Sequence, residues 1–465
     1  MNFRQIATIV LSLLLFFSFS AKAQNVELPN GFQRAASIEG INEYRLPNGL
    51  RVLLFPDPTK QTITVNVAYL VGSRHENYGE TGMAHLLEHL MFKGSPRHAH
   101  QDAEGNQHGA RLNANTWFDR TIYEETFPAT EDNLSWALDF EADRMLNANV
   151  TRKDLDSEFS VVRNEFEKGE SVPISVLYDK IYATAYQWHN YGNTTIGSRS
   201  DIENVSIERL QNFYKTYYQP DNAVLVIAGN LDESKTLKLV DKWFSPLPRP
   251  TRTLPTLYTT EPTQDGERQV TVRRVGDTQL LLAGYHLPAA TNPDFGAIEI
   301  LWQILGDTPS GRLHKALVET GKASSVSGDN LPLKNPGLGM FTTEIRQEMP
   351  LEAARDIFLK TIENFNLKPA TSEEVERARN ILLKDIELSF NDPETMASEL
   401  SEWSGRGDWR MFFLYRDRIK KATIADVNRV AKQYLKSSNR TLATSIPTEK
   451  PDRAEIATTS ESDVT

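Results

Sequence analysis

Apolar and polar positions along the chain follow two recurring spacings, one typical of strands and one typical of helices. Alternation, or a short apolar run bounded by turn residues, predicts strand segments at residues 44–55 (a hairpin turning at Asn48-Gly49), 62–70, 111–127 and 223–229. Apolar residues three to four positions apart predict amphipathic helices at residues 131–147, 151–169 and 207–218. Residues 25–37 are expected to form a mobile start. Together these segments indicate an α+β fold.

A proline-rich stretch divides the chain near its middle. Residues 246–263 contain five prolines among polar neighbours, which is typical of a linker, and we place the linker at residues 248–268. A helix, an asparagine turn and an apolar strand before the linker recur after it at a constant offset of 217 residues: Ile207, Leu210, Phe213, Tyr217, Asn222 and Leu225 match Ile424, Val427, Val430, Tyr434, Asn439 and Leu442. The repeat predicts two homologous domains, at residues 38–247 and 269–446. The polar residues 447–465 are expected to form a disordered tail.

Composition excludes several kinds of site and partner. The net charge is −11 over 465 residues and no basic stripe is present, so no nucleic-acid partner is expected. The sequence contains no cysteine, which excludes disulfides, thiolate metal sites and a lipid anchor on an N-terminal cysteine. Any metal ion must therefore be bound by histidine, aspartate or glutamate.

Residues 1–23 have the features of a secretory signal peptide. Arg4 precedes an apolar run over residues 6–19, and Ala21-Lys22-Ala23 is a small-x-small cleavage site. The apolar run is short for a membrane-spanning helix, so no stable membrane anchor is expected. The sequence predicts an exported protein, periplasmic or secreted, that is cleaved after Ala23.

The candidate chemistry lies in residues 82–92. His85 and His89 are four residues apart and share one face of a helix, with Glu88 beside them. Two imidazoles one turn apart can bind one metal ion, and a neighbouring carboxylate can take a proton from metal-bound water. The order His-x-x-Glu-His is the inverzincin signature. Two histidines, a carboxylate and an open position favour zinc.

A catalytic zinc site usually has three protein ligands, so a third ligand must come from another part of the chain. The stretch 154–170 is the downstream helix richest in carboxylates, and within it Glu158 and Glu165 are seven residues apart and share one face. One of them can bind the metal while the other accepts a hydrogen bond from a ligand histidine. Spacing alone does not choose between them, nor does it exclude Glu167 or Glu170.

With these residues the sequence resembles the pitrilysin/insulinase family of zinc endopeptidases, and specifically the halves that form mitochondrial processing peptidase. In that family the third ligand follows the second histidine by some 76 residues, which is the spacing from His89 to Glu165, and another glutamate precedes that ligand by seven. The resemblance implies Zn2+ bound by His85, His89 and Glu165, with Glu158 as a catalytic carboxylate outside the ligand shell. The remaining matches are residues 109–123, which are similar to the family's Gly-x-x-Asn-Ala-x-Thr strand and Asp-x-Thr-x-Tyr continuation, residues 217–222 and residues 310–313.

The resemblance implies an exported zinc-dependent metalloendopeptidase. Glu88 would take a proton from zinc-bound water and return it to the leaving amine. Asn113, Ala114 and Thr116 would lie in an exposed edge strand that holds the substrate as an added strand through main-chain hydrogen bonds. Substrates are then extended peptides or unfolded segments, bound with little sequence specificity.

The resemblance also implies the architecture and a partner. Each domain is expected to be a mostly antiparallel β-sheet packed with helices, with the active site in the first, because the only histidines of the second are His286 and His314. Family members enclose the substrate between two halves and this chain corresponds to one, so we expect a companion subunit or a homodimer. The alternative is a non-proteolytic, zinc-binding assembly subunit of a two-half peptidase complex. The complete motif speaks against that alternative, since a scaffold has no need of Glu88.

Overall fold

The computed structural model describes residues 27–450 and 453–454, so the predicted signal peptide lies outside the described residues. The strands are β1 (Gln33–Ile38), β2 (Ile41–Arg45), β3 (Arg51–Pro56), β4 (Thr62–Tyr69), β5 (Arg111–Thr116), β6 (Thr121–Pro128), β7 (Ala223–Gly229), β8 (Arg268–Val275), β9 (Gln279–Leu287), β10 (Ala323–Asn330), β11 (Gly337–Ile345) and β12 (Arg440–Thr448). The helices are α1 (Met83–Leu90), α2 (Gln101–Gln107), α3 (Glu131–Asn147), α4 (Arg152–Ser171), α5 (Pro173–Ala185), α6 (Arg199–Asn204), α7 (Ile207–Tyr217), α8 (Glu233–Phe244), α9 (Phe295–Gly306), α10 (Leu351–Glu363), α11 (Ser372–Ser389), α12 (Pro393–Arg406), α13 (Met411–Lys421) and α14 (Ile424–Tyr434).

The strands form two sheets, of seven and five strands, that share the same topology over five strands. The first sheet has the order β1-β2-β3-β7-β4-β6-β5 and the second β10-β11-β9-β12-β8. Strands β3, β7, β4, β6 and β5 therefore correspond to β8, β12, β9, β11 and β10. Each sheet has one parallel pair, β3 with β7 and β8 with β12, and its other pairs are antiparallel. The prediction of two homologous α+β domains, each with a mostly antiparallel sheet, is confirmed.

Each sheet is covered on one face by a helix from the other half of the chain. Helix α12 packs across β4 and β7 of the first sheet, and α5 packs across β8, β9 and β12 of the second. One buried apolar cluster accordingly joins Leu53 and Val226 of the first half to Leu281 and Trp403 of the second. Because burial of apolar surface is the main stabilising contribution, the two halves stabilise each other's sheets.

Most of the predicted elements agree with the structure within two residues, and α3 and β7 agree at both ends. The strand region at 111–127 is a hairpin of two strands, β5 and β6. The prediction of a mobile start is wrong for residues 33–37, which belong to β1 and pair antiparallel with β2. Four of the six side chains of β1 are exposed and the other two are half-buried, so the apolar periodicity of this edge strand is weak, and main-chain hydrogen bonds to β2 hold it.

The stretch predicted as the linker has no helix or strand before β8 begins at Arg268. It nevertheless contacts the first half closely. The guanidinium of Arg252 lies 2.6 Å from the carboxylate of Asp221, and Glu261 accepts hydrogen bonds from the main-chain N–H groups of residues 187–189 at 2.8–3.1 Å. At the other end, β12 continues to Thr448, two residues into the predicted tail, because its last residues pair with β8. Among residues 27–450 no helix combines the length and the apolar character needed to cross a membrane.

Candidate metal centre and active site

A buried glutamate that precedes the helix anchors the first turn of α1. Gly82 stands before the helix with a φ of 89° and offers no side-chain cap, and a Cβ there would lie 2.6 Å from the carbonyl oxygen of Ile196. The Glu76 carboxylate instead accepts the N–H groups of Gly82 and Ala84 at 2.9 and 2.8 Å. These are two of the four N–H groups that a helix N-terminus leaves unpaired. Burial raises the pKa of Glu76 to about 8, although the two hydrogen bonds act in the opposite direction.

His85, His89 and Glu165 converge at the exposed face of α1. The Nε2 atoms of His85 and His89 are 3.3 Å apart. Glu165 Oε2 lies 3.7 Å from His85 Nε2 and 3.5 Å from His89 Nε2. Two ligands about 2.1 Å from one zinc ion at the tetrahedral angle are about 3.4 Å apart, so the three atoms fit zinc. Burial lowers the pKa of His85 to about 4, so this imidazole is neutral at pH 7, as a metal ligand must be. In the part of the chain that the structure describes, no other group of three such residues could hold a metal ion.

Glu158 supports the centre from behind. Its Oε2 lies 3.1 Å from His89 Nδ1, and its other oxygen pairs with the Lys93 ammonium. Because His89 Nε2 faces the other ligands, Nδ1 carries the hydrogen and donates it to the carboxylate. The Glu158 side chain is only 8% exposed, whereas that of Glu165 is 45% exposed, so the centre is open to solvent on the Glu165 side.

The alternatives left open by the spacing lie outside this cluster. Glu167 lies 3.8 Å from each of two surface arginines, Arg163 and Arg199, and Glu170 pairs with Arg274 at 3.2 Å. The packing of α4 against α1 therefore brings Glu165, and neither of the other two, to the histidines.

The Glu88 side chain extends from α1 and is buried against the end of β5. Its Oε2 accepts a hydrogen bond from Thr116 Oγ1 at 2.6 Å. Burial raises the pKa of Glu88, and this hydrogen bond opposes the shift. Thr116, which was predicted to bind substrate through the strand, thus uses its side chain to orient Glu88, the predicted proton acceptor.

Strand β5 is the free edge of the first sheet, as predicted for residues 113–116. The Trp117 N–H donates to the Arg120 carbonyl at 2.9 Å, and hydrogen-bonded pairs alternate along an antiparallel ladder. The main-chain groups of Leu112, Ala114 and Thr116 therefore face away from β6 and are free for an added strand. The Asn113 side chain lies on the opposite face of the sheet from that of Thr116 and is exposed, so the role predicted for it remains a prediction.

Two residues of the site were not predicted from the sequence. Lys93 follows His89 by four residues, and helical spacing could have indicated its proximity to Glu158. Glu76 precedes α1 by several residues without any capping pattern, so no local signal marks it.

Two family profiles match the chain. The profile described as "Insulinase (Peptidase family M16)" matches residues 51–199, which contain His85, Glu88, His89 and Glu165. The profile described as "Peptidase M16 inactive domain" matches residues 204–382. The chain belongs to peptidase family M16. The resemblance to the insulinase family is thus confirmed, and the inactive-domain match falls on the part of the chain without the metal cluster.

Named relatives of this M16 protein include zinc proteases and processing-peptidase subunits. Zinc protease PqqE of Helicobacter pylori is 29% identical over 403 residues, which are 85% of this chain and 90% of that protein. A probable mitochondrial-processing peptidase subunit beta of Arabidopsis thaliana is 27% identical over 415 residues, covering 84% of this chain and 75% of that protein.

Solved structures share its fold. A protease from Helicobacter pylori superposes with a TM-score of 0.84 at 29% identity, over 88% of this chain and 99% of that chain. The periplasmic protease PqqL from Escherichia coli superposes with a TM-score of 0.72 at 18% identity, over 90% of this chain but 48% of that chain, and this match speaks for the fold alone.

Proposed function

We propose that this protein is an exported zinc-dependent metalloendopeptidase that hydrolyses extended peptides or unfolded segments at a single centre in its first domain. The observation that carries the proposal is the convergence of His85, His89 and Glu165 at distances suited to zinc, with the buried Glu88 on the same helix as the two histidines. A metal-binding role alone would not require a carboxylate held by Thr116 beside the ligands.

The residues around the centre have separate tasks. A zinc ion bound by His85, His89 and Glu165 would supply Lewis acidity toward a water molecule and the scissile carbonyl. The Glu88 carboxylate accepts the proton of the attacking water and returns it to the amine that leaves. The Thr116 hydroxyl keeps one Glu88 oxygen in place through the cycle.

Strand β5 supports the proposed substrate class. An extended peptide can pair with the free main-chain groups of Leu112, Ala114 and Thr116 and is then adjacent to Glu88, which Thr116 contacts. Main-chain pairing recognises an extended backbone and gives little discrimination between side chains. Folded proteins cannot pair in this way without local unfolding, so unstructured segments are the proposed substrates.

We further propose that the protein acts outside the cytoplasm and pairs with a companion subunit or with a second copy of itself. Export is supported by residues 1–23, which have the features of a secretory signal peptide. The need for a second half is supported by the match to 48% of the PqqL chain.

The proposal is tested by metal content and peptide cleavage together. Residues 24–465 and the same protein with Glu88→Gln are purified with zinc supplied, and cleavage of a quenched fluorescent peptide library is measured. About one equivalent of zinc in both proteins, with cleavage lost in Glu88→Gln, is the expected result. Zinc without cleavage in either protein would favour the assembly-subunit alternative or a missing companion. Cleavage by the co-purified complex that is lost with Glu88→Gln would identify a missing companion, and cleavage that survives Glu88→Gln would identify an assembly subunit. Absence of zinc would refute the proposal.

A further inference from the structure

The turn between β5 and β6 is docked onto the second domain at three consecutive residues. Phe118 is 3% exposed and lies in an apolar cluster with Leu333 and Met340. Asp119 accepts the main-chain N–H of Lys334 at 2.9 Å. Arg120 forms an ion pair with Glu402 on α12. The turn that ends the edge strand is thus held by residues that are distant in the sequence.

Arg120 connects that contact directly to β5. One nitrogen of its guanidinium, Nη1, donates to the main-chain carbonyl of Asn115 at 3.0 Å, while Nη2 donates to the Glu402 carboxylate. The Arg120 side chain is only 8% exposed. On α12, Gly405 allows the close approach, because a Cβ there would lie 2.8 Å from the Cβ and Cγ atoms of Arg120.

We infer that Arg120 and Glu402 are positioning residues, through which the second domain holds β5 and Thr116 in the arrangement that orients Glu88 and receives substrate. Asn115, whose carbonyl Arg120 binds, directly precedes Thr116, and the Thr116 hydroxyl contacts Glu88. The catalytic part of this inference rests on the proposed peptidase function, whereas the effect on the strand does not.

The physical reason is that an edge strand has a partner on one side only. Strand β5 pairs with β6 alone, so its position depends on that ladder and on the turn between the two strands. Arg120 is 8% exposed and Glu402 is 22% exposed, so removing either charge leaves the other largely shielded from water and without its partner. Glu402→Gln retains the shape of the side chain and the charge of Arg120 but removes the negative charge that holds Arg120, a charge that also lies 3.6 Å from Arg406 on the same helix.

The chain offers a matched control. Glu394 lies on the same helix, α12, and pairs with Arg111 on the same strand, β5, but the two side chains are 36% and 65% exposed. Exposed ion pairs contribute little, so Glu394→Gln changes a similar contact between α12 and the β5–β6 hairpin without a buried charge.

The experiment compares wild type, Glu402→Gln, Arg120→Gln, the double variant and Glu394→Gln as purified zinc-loaded full-length mature proteins. Hydrogen–deuterium exchange is followed in peptides that span residues 111–123, and zinc content and kcat/KM for a quenched extended peptide are measured in parallel. We expect Glu402→Gln to speed exchange in this segment and to lower kcat/KM by about tenfold or more, with zinc content unchanged. The double variant should lose no more than Arg120→Gln alone, because the two residues act as one unit.

The outcomes separate this inference from the proposed function. Exchange and kcat/KM in Glu402→Gln within about twofold of Glu394→Gln would overturn the inference. Faster exchange throughout the protein, or loss of zinc, would also overturn it, because the pair would then support the fold in general. If wild type cleaves no peptide on its own, kcat/KM gives no information on this pair, and the exchange measurement alone decides whether α12 positions β5.

Discussion

Replacing Glu158 with glutamine should weaken zinc binding by about 10- to 100-fold, the usual effect of changing a residue that orients a ligand histidine. The substitution preserves the size of the side chain and leaves His85, His89 and Glu165 unchanged. It removes the negative charge that faces His89 Nδ1 at 3.1 Å and pairs with Lys93.

The magnitude follows from the contacts. A hydrogen bond to a charged group contributes about 1.5–3 kcal/mol and a neutral one about 0.5–1.5 kcal/mol. Glutamine keeps one oxygen that can accept from Nδ1, so the loss at this bond is about 1–1.5 kcal/mol, or about tenfold in affinity. Because Glu158 is only 8% exposed, solvent cannot replace the lost charge, which moves the expected effect above that lower bound.

The zinc dissociation constant is measured at pH 7 by competition with a chromogenic chelator. Glu167→Gln is the control, since Glu167 lies on the same helix but is 50% exposed and contacts only surface arginines. We expect the control to remain within about twofold of wild type. Glu165→Gln should bind zinc more weakly than Glu158→Gln, because it removes a ligand. Equal affinity of Glu158→Gln and Glu167→Gln, with both proteins folded, would refute the role assigned to Glu158.

Three further predictions concern other parts of the molecule. Thr116→Val keeps the shape of the side chain but removes the hydrogen bond to Glu88, so kcat for a quenched peptide should fall by about tenfold while zinc content, measured by elemental analysis, stays the same. Glu76→Ala leaves two buried N–H groups at the start of α1 unpaired, and the free energy of unfolding in urea should fall by about 2–4 kcal/mol. Burial raises the pKa of Glu374, but the hydrogen bonds from Arg312 and Thr371 together with the charge of Arg312 outweigh it and lower the pKa from 4.5 to about 2. The stabilisation by these contacts is therefore complete above pH 4.5 and is lost as the pH falls toward 2. With allowance for solvent screening, the free energy of unfolding of wild type, measured by urea titration at pH 7, should exceed that of Glu374→Gln by about 1–2 kcal/mol. A difference that does not shrink below pH 4.5 would contradict the stabilising role assigned to the Glu374 carboxylate.

The spacing of apolar residues was sufficient for most elements of the first domain. Helix α3 and strand β7 begin and end at the predicted residues because periodicity is a property of consecutive residues. The first strand escaped prediction for the same reason, since an edge strand with exposed side chains has no apolar period. The repeat of 217 residues predicted two related domains, but it carried no information on the exchange of α5 and α12 between their sheets.

Helical spacing alone places His85, Glu88 and His89 on one face of a helix, because residues three and four apart are neighbours in any α-helix. The meeting of Glu165 with the histidines depends on tertiary packing, since it requires one particular face of α4 to contact α1. The same holds for the pair of Arg120 with Glu402, which are 282 residues apart in the sequence. Contacts of this kind depend on where whole helices and sheets pack, and no local pattern of residues specifies that arrangement.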